Sequence, residues 1–314
     1  MVDRKNDLPS VLIPYPGVGS DPDTQDIFVN LRPESNGVLV ESVMLRVIQR
    51  HRDYKKRISL VYLANLPGTF IMRNHITEEH YSLKLKFAVL GKKYFTPAMR
   101  EAFSLRFGVP FEEAKIVGAF EALRILSLSP SDLFRLWVPQ EDFGIVNGQT
   151  IKRMGDLYVV NYDLPGLLHM KIREKDIAVM IFRTSLAYEE FTLIVDDMVS
   201  ALEEAGILVP GMPSSRVFHY SKGPFEQLLD GIGYLYTPEA ANIPLEELPF
   251  ARYLMARSVD FSAIHGLLKN PIILYRSPDG SLREDNIYDY TQGETYEGAY
   301  RKLETMEAQV VIPE

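Results

Sequence analysis

The sequence predicts an α+β protein, on three observations. Short apolar or alternating runs read as strands at residues 26–31 (DIFVNL), 58–63 (ISLVYL), 156–162 (DLYVVNY) and 176–183 (DIAVMIFR). Two segments carry apolar residues at helical spacing: Val40, Val43, Met44, Val47 and Ile48 in the first, and Val195, Met198, Val199 and Leu202 in the second. Turn-forming clusters separate these runs, and strands and helices alternate only loosely.

Along the chain, residues 11–26 (VLIPYPGVGSDPDTQD) read as a short strand and then an irregular loop rich in Pro, Gly and Asp. The strand at 26–31, the first amphipathic helix and the strand at 58–63 follow, and Asn65-Leu66-Pro67-Gly68 reads as a turn. Residues 77–107 read as helical in two pieces, broken near Gly91 and Pro97. Residues 114–128 begin as a strand, and Ser129-Pro130-Ser131-Asp132 caps a short helix. The second amphipathic helix ends at Gly206, a residue suited to the left-handed position that closes a helix. Residues 210–222 (PGMPSSRVFHYSK) read as a linker. Beyond them lie helices at 225–229, 250–268 and 295–308, a strand at 272–275 and a turn at Ser277-Pro278-Asp279-Gly280. This pattern divides the chain into residues 1–209 and a mixed, mainly helical extension at 210–314.

Composition narrows the chemistry. The 314 residues include no cysteine, which excludes disulfides, thiolate metal sites and a cysteine nucleophile. With 34 Lys plus Arg against 42 Asp plus Glu, the formal charge is −8, so an extended nucleic acid is a poor partner. The first ten residues lack an apolar signal core and no apolar run reaches membrane-spanning length, so the expectation is a cytoplasmic protein without a membrane partner. The six histidines form no His-x-x-x-His pair. No dinucleotide fingerprint or hydrolase nucleophile elbow is present. The loop Pro16-Gly17-Val18-Gly19-Ser20 lacks a Gly-Lys-Ser/Thr ending and reads as a plain turn.

Residues 28–63 (FVNLRPESNGVLVESVMLRVIQRHRDYKKRISLVYL) resemble the opening of nucleoside diphosphate kinases, where a strand runs into Lys-Pro-Asp-Gly, then a helix and a second strand. Arg32-Pro33-Glu34-Ser35 takes the Lys-Pro-Asp-Gly place. Further pieces follow in family order. Glu79-His80-Tyr81 and Tyr94-Phe95 resemble the His-Tyr and aromatic helix-start segments. Phe134-Arg135 resembles the phosphate-binding arginine segment. Thr150-Ile151-Lys152 followed by Gly155-Asp156 resembles Thr-Ile-Arg-Gly-Asp with two residues inserted.

The resemblance implies a ferredoxin-like antiparallel sheet with helices, and an open nucleotide cleft. It assigns phosphate or nucleotide contacts to Arg32, Arg135, Thr150, Lys152, Tyr81 and Tyr94, with cationic forks and hydroxyls suited to a polyanion. It implies binding of a mononucleotide (ATP or NDP), Mg2+ with that nucleotide, and homo-oligomers. It implies phosphoryl transfer through a phosphohistidine, with His169 as acceptor and His265, in Ile264-His265-Gly266, as the alternative. His169 lacks the Gly-Ser-Asp that follows the family's histidine. The competing expectation is therefore a non-catalytic relative, an interaction or regulatory module without phosphotransfer.

Plainer readings stand beside these. Arg32 also reads as an ordinary turn residue, Arg135 as an arginine lying along a helix edge, and Lys152 as a solvated loop charge. Thr150 reads as a strand start. His169 reads as a hydrogen-bonded residue between apolar neighbours.

Overall fold

The computed structural model describes residues 7–19, 21, 23–33, 35–169, 175–210 and 212–310, with His169 as backbone only. The strands in chain order are β1 (Ser10–Ile13), β2 (Gln25–Leu31), β3 (Ile58–Leu66), β4 (Lys115–Gly118), β5 (Phe143–Val146), β6 (Gln149–Met154), β7 (Leu157–Val160), β8 (Ile177–Thr184), β9 (Phe218–Tyr220), β10 (Ile272–Arg276), β11 (Leu282–Asn286) and β12 (Met306–Gln309). The protein is α+β, with mixed helix and sheet content and largely antiparallel sheets.

The chain forms two compact units, each assembled from three segments. The first holds Met1–Ile76, Lys171–Ile264 and Thr291–Lys302. The second holds Thr77–Met170, His265–Tyr290 and Leu303–Glu314. Residues 209 and 210 both lie inside the first unit, so the division expected there from composition is not where the units part.

The first unit is built on a sheet of order β1-β3-β8-β2-β9, antiparallel at every step. Helix Val38–Arg50 links β2 to β3, and helix Tyr188–Glu204 links β8 to β9, so a strand-helix-strand pattern occurs twice. Both helices bury their apolar stripes on one face of the sheet. Val40, Val43, Met44 and Ile48 from one, and Val195, Met198 and Leu202 from the other, meet Ile27, Val29, Leu31, Met180 and Phe182. The second helix stops as Gly206 predicts. Gly206 has φ +69, its N–H donates to Glu203 O, and Ile207 N–H donates to Leu202 O, which satisfies carbonyls left over at the helix end.

Every residue of β2 is buried because helices Pro224–Tyr234 and Pro249–Met255 approach this central strand as well. Three readings are corrected here. Residues 210–222 are not only a linker: Phe218 is buried, and β9 pairs with β2 as an edge strand. Residues 250–268 form two helices, Pro249–Met255 and Phe261–Lys269, separated near Ser258 at φ +64. Nor is Asn65-Leu66-Pro67-Gly68 a bare turn, since β3 runs through Leu66 and Pro67 opens helix Gly68–Arg73.

The second unit carries a sheet of order β4-β7-β6-β5, in which β4 and β7 are parallel, and a three-stranded antiparallel sheet of order β11-β10-β12. Asn147 (φ +43) and Gly148 (φ +76) form the two-residue turn between β5 and β6. Helices Ser82–Leu90 and Pro97–Phe107 break near Gly91 and Pro97 as expected. Ser129 Oγ accepts Asp132 N–H at 3.1 Å and caps helix Pro130–Arg135. Strand β4 ends against the helix Ser82–Leu90 so closely that a Cβ on Gly118 would lie 2.1 Å from Ala88 O.

Candidate active-site cleft and its arginines

The first unit contains a cleft of about 310 Å³. Its chemistry comes from Asp26, Arg183, Arg252, Tyr253, Arg257 and Tyr296, with the Gly19 loop, Asp21 and Thr24 at its side. Strand register places the first two. Asp26 on β2 and Arg183 on β8 are directly paired residues, so their side chains leave the sheet on the same face. Arg252 and Tyr253 lie on helix Pro249–Met255, Arg257 lies just beyond it, and Tyr296 opens helix Tyr296–Glu304.

Arg183 is held on all sides. Its Nε donates to Asp26 Oδ1 at 2.7 Å and its Nη2 to Asp26 Oδ2 at 2.8 Å. The same Nη2 donates to Gly17 O at 2.6 Å, and Tyr15 Oη donates to Asp26 Oδ2 at 2.6 Å. The described part of the glycine loop, residues 16–19, is irregular chain that offers a carbonyl to an arginine. Gly19 passes so near that a Cβ there would lie 3.2 Å from Arg183 Nη1. Burial works against the Arg183 charge, yet Asp26 outweighs it and the guanidinium sits above its ordinary value. Burial, reinforced by Asp26, pushes the Tyr15 hydroxyl far up, so it remains a neutral donor.

The mouth is differently arranged. The Arg257 guanidinium lies 3.5 Å from the centre of the Tyr253 ring, with Glu297 3.6 Å away. Tyr253 Oη donates to Glu297 Oε2 at 2.5 Å, and burial together with Glu297 pushes its hydroxyl up to about 12. Arg252 is exposed and makes no ion pair among the described residues. Three arginines and two aspartates line the cleft, and Glu297 beside Arg257 adds a third carboxylate, so the formal charges balance while Arg252 has no carboxylate partner among the described residues. An exposed guanidinium without an ion pair suits a small anion.

The residues expected from sequence lie elsewhere. Arg32 follows β2 in the first unit, where its Nε donates to Ser215 O at 3.1 Å. Arg135, Thr150, Lys152, Tyr81, Tyr94, His169 and His265 all belong to the second unit. Lys152 is 7% exposed, its Nζ donates to Leu136 O beside Arg135, and it lies 3.7 Å from the centre of the Tyr162 ring. Its cation is thereby engaged by protein groups rather than presented as a loop charge. Thr150 Oγ1 bonds to Asn161 and Asp163, each at 3.4 Å, and its N–H donates to Asn161 Oδ1 at 3.0 Å. Tyr94 packs edge-on against Phe87 in the core, and Tyr81 packs edge-on against His80. Arg135 is exposed at the end of its helix, and His265 is exposed on helix Phe261–Lys269. The His169 side chain lies outside the described residues.

Sequence reading missed Asp26, Arg183, Arg252 and Arg257 as site residues. A signal existed for the first two. A charge closes an otherwise apolar run in IAVMIFR, and another opens DIFVNL. The pairing that brings them together is a long-range register, which no local pattern reports.

No protein-family model, curated protein or solved structure matches the chain. Among the described residues no helix is long and apolar enough to cross a membrane, and no group of three or more His, Asp or Glu is placed to hold a metal ion.

Proposed function

We propose that the first unit is a ferredoxin-like domain acting as a binding module for a small phosphate-bearing ligand, with a mononucleotide as its leading candidate. The order β3-β8-β2-β9, with a helix after β2 and after β8, supports the ferredoxin-like reading. The observation that carries the ligand reading is Arg252, unpaired and exposed beside Arg257 at a cleft whose wall holds Arg183. Arginine forks suit phosphate oxygens, and the Tyr253 ring offers an apolar flank for a base or sugar. Magnesium arriving with a nucleotide would be held chiefly by phosphate oxygens, with Asp21 as the carboxylate on the protein side.

Binding without phosphotransfer is the reading favoured here. A phosphohistidine intermediate requires an imidazole at the bound phosphate, and the described residues lining the cleft include no histidine. Calorimetric titration with AMP, ADP and ATP-Mg tests the module. Saturable binding that Arg252→Gln weakens supports it, and no heat with any of the three removes it. Incubation with radiolabelled ATP tests the chemistry: acid-labile, base-stable label on the protein would restore phosphotransfer.

A further inference from the structure

Strand β9 and helix Pro224–Tyr234 bring one imidazole and two carboxylates together in the first unit. His219 Nε2 lies 3.3 Å from Asp230 Oδ2 and 3.8 Å from Glu226 Oε1. The Asp230 side chain is wholly buried, while those of His219 and Glu226 are 19% and 23% exposed. Asn30 sits directly opposite His219 in the β2–β9 ladder. Asn30 is 6% exposed, and its Oδ1 has no hydrogen-bond partner. Other titratable groups around the cluster are Tyr188 and Asp196 from helix Tyr188–Glu204, Tyr220 from β9, Lys222 from the following turn, and Tyr296.

We propose that His219, Glu226 and Asp230 form a proton-operated switch that sets how helix Pro224–Tyr234 seats on the sheet and, through Gln227, the state of the arginine cleft. The electrostatics are direct. With a proton on the imidazole, a cation faces two carboxylates in a poorly hydrated place, and each favours the other. Without it, Glu226 and Asp230 remain as like charges one turn apart on the same helix face. The Lys222 ammonium offsets this only partly, since Lys222 is exposed. Burial also holds the Glu226 carboxyl above its usual range, so this group keeps its proton more tightly in the folded chain than in the unfolded one. Stability from the raised Glu226 carboxyl is present below its ordinary range and lost as pH rises through its folded value, whereas the imidazolium–carboxylate attraction exists only while His219 is protonated and a carboxylate is ionised.

The connection to the cleft is a chain of hydrogen bonds. Gln227 follows Glu226 on the helix. Its Nε2 donates to Gln25 Oε1 at 3.0 Å, and its Oε1 accepts from Tyr296 Oη at 3.1 Å. Gln25 precedes Asp26, and Tyr296 lines the cleft. A helix lifted at Glu226 disturbs both bonds. The proton switch stands without any ligand, and only its effect on affinity rests on the cleft being a binding site.

Histidine titration by NMR on the full chain tests the switch, with His219 assigned by His219→Gln and the exposed His265 as reference. The His219 midpoint is expected at least one pH unit above that of His265, and at least one unit lower in Asp230→Asn than in the wild type. Glu226→Gln gives the same direction should Asp230→Asn fail to fold. A His219 midpoint at or below that of His265, or one unmoved by the folded variant, overturns the proposal. The Arg183 Nε–H resonance is expected to shift with the His219 midpoint, and a flat signal breaks the link to the cleft. AMP affinity is expected to fall at least threefold as pH rises through that midpoint, with no such fall in His219→Gln. A high His219 midpoint with no AMP binding at any pH would remove the ligand reading and leave the switch.

Discussion

Asp26 and Arg183 face each other across β2 and β8 and share two hydrogen bonds, at 2.7 and 2.8 Å, with their side chains 3% and 15% exposed. The pair joins the two central strands of the first unit at the wall of its cleft. It also anchors the loop before β2, since Gly17 O and Tyr15 Oη are tied to the same two groups. One ion pair thus ties together sheet register, loop path and cleft charge.

Breaking the pair on one side is costly, because the surviving charge stays buried. Asp26→Asn is expected to destabilise the first unit by about 3 kcal/mol, read from urea unfolding. Asp26→Leu combined with Arg183→Met is expected to lose less than either single change, because no charge is then left without its partner. A double variant as unstable as the sum of the singles would contradict this.

The exposed arginines are expected to separate affinity from stability. Arg252→Gln should weaken nucleotide binding about tenfold, near 1.4 kcal/mol, while leaving the thermal midpoint unchanged. Arg257→Gln should weaken it similarly and also free the Tyr253 ring that the guanidinium covers. Calorimetry paired with thermal melting distinguishes the two effects.

In the second unit, burial holds the Glu284 carboxyl above its usual range, although Thr96 Oγ1 at 2.6 Å and Asn147 Nδ2 at 2.7 Å pull the other way. A carboxyl raised on folding contributes stability below its unfolded value and loses it as pH rises through the folded one. Glu284→Gln is neutral throughout and lacks that slope. Its stability relative to the wild type is therefore expected to improve as pH rises upward from the ordinary carboxylate range, measured by urea unfolding at fixed ionic strength. A constant difference over that rise would show that the carboxyl does not titrate as burial requires.

Gly118→Ala is expected to be among the most damaging single changes in the second unit. The new methyl would meet Ala88 O at 2.1 Å and Ala88 C at 2.6 Å, both backbone atoms that no side-chain rotation can clear. A loss of about 3 kcal/mol or more follows for such overpacking against backbone. Gly266→Ala is the control: its nearest neighbour is the Gln309 side chain at 3.6 Å, an ordinary contact, and little change is expected.

Local physics was legible in the sequence and long-range assembly was not. The helix faces of Val40 to Ile48 and Val195 to Leu202 were readable because burial on one side enforces their spacing. Gly206 and Ser129 were readable because helix ends need a left-handed residue and a hydroxyl acceptor. Asn147-Gly148 carried a hairpin signal, but β5 is only four residues long and gives little strand pattern to frame it. Residues 210–222 read as a linker because their composition is that of a turn, while the burial of Phe218 depends on a partner strand distant in sequence. Asp26, Arg183 and the pair Arg252 and Arg257 come from three places in the chain and meet only through topology, so no motif announces the cleft.

The connectivity of the two units also sets an order of events during synthesis. Val29 pairs with Met180, which emerges from the ribosome 151 residues later. At roughly 5–20 residues per second, β2 waits about 8–30 s for its central neighbour. The second unit is completed only when β12, at Met306–Gln309, joins β10. The four-stranded sheet of the second unit can form once β7 has emerged, whereas β2 and β3 of the first unit stand open on their β8 side until residues 177–184 are made. The chain threads between two bodies at 76/77, 170/171, 264/265, 290/291 and 302/303, so segments of the two units are made in alternation.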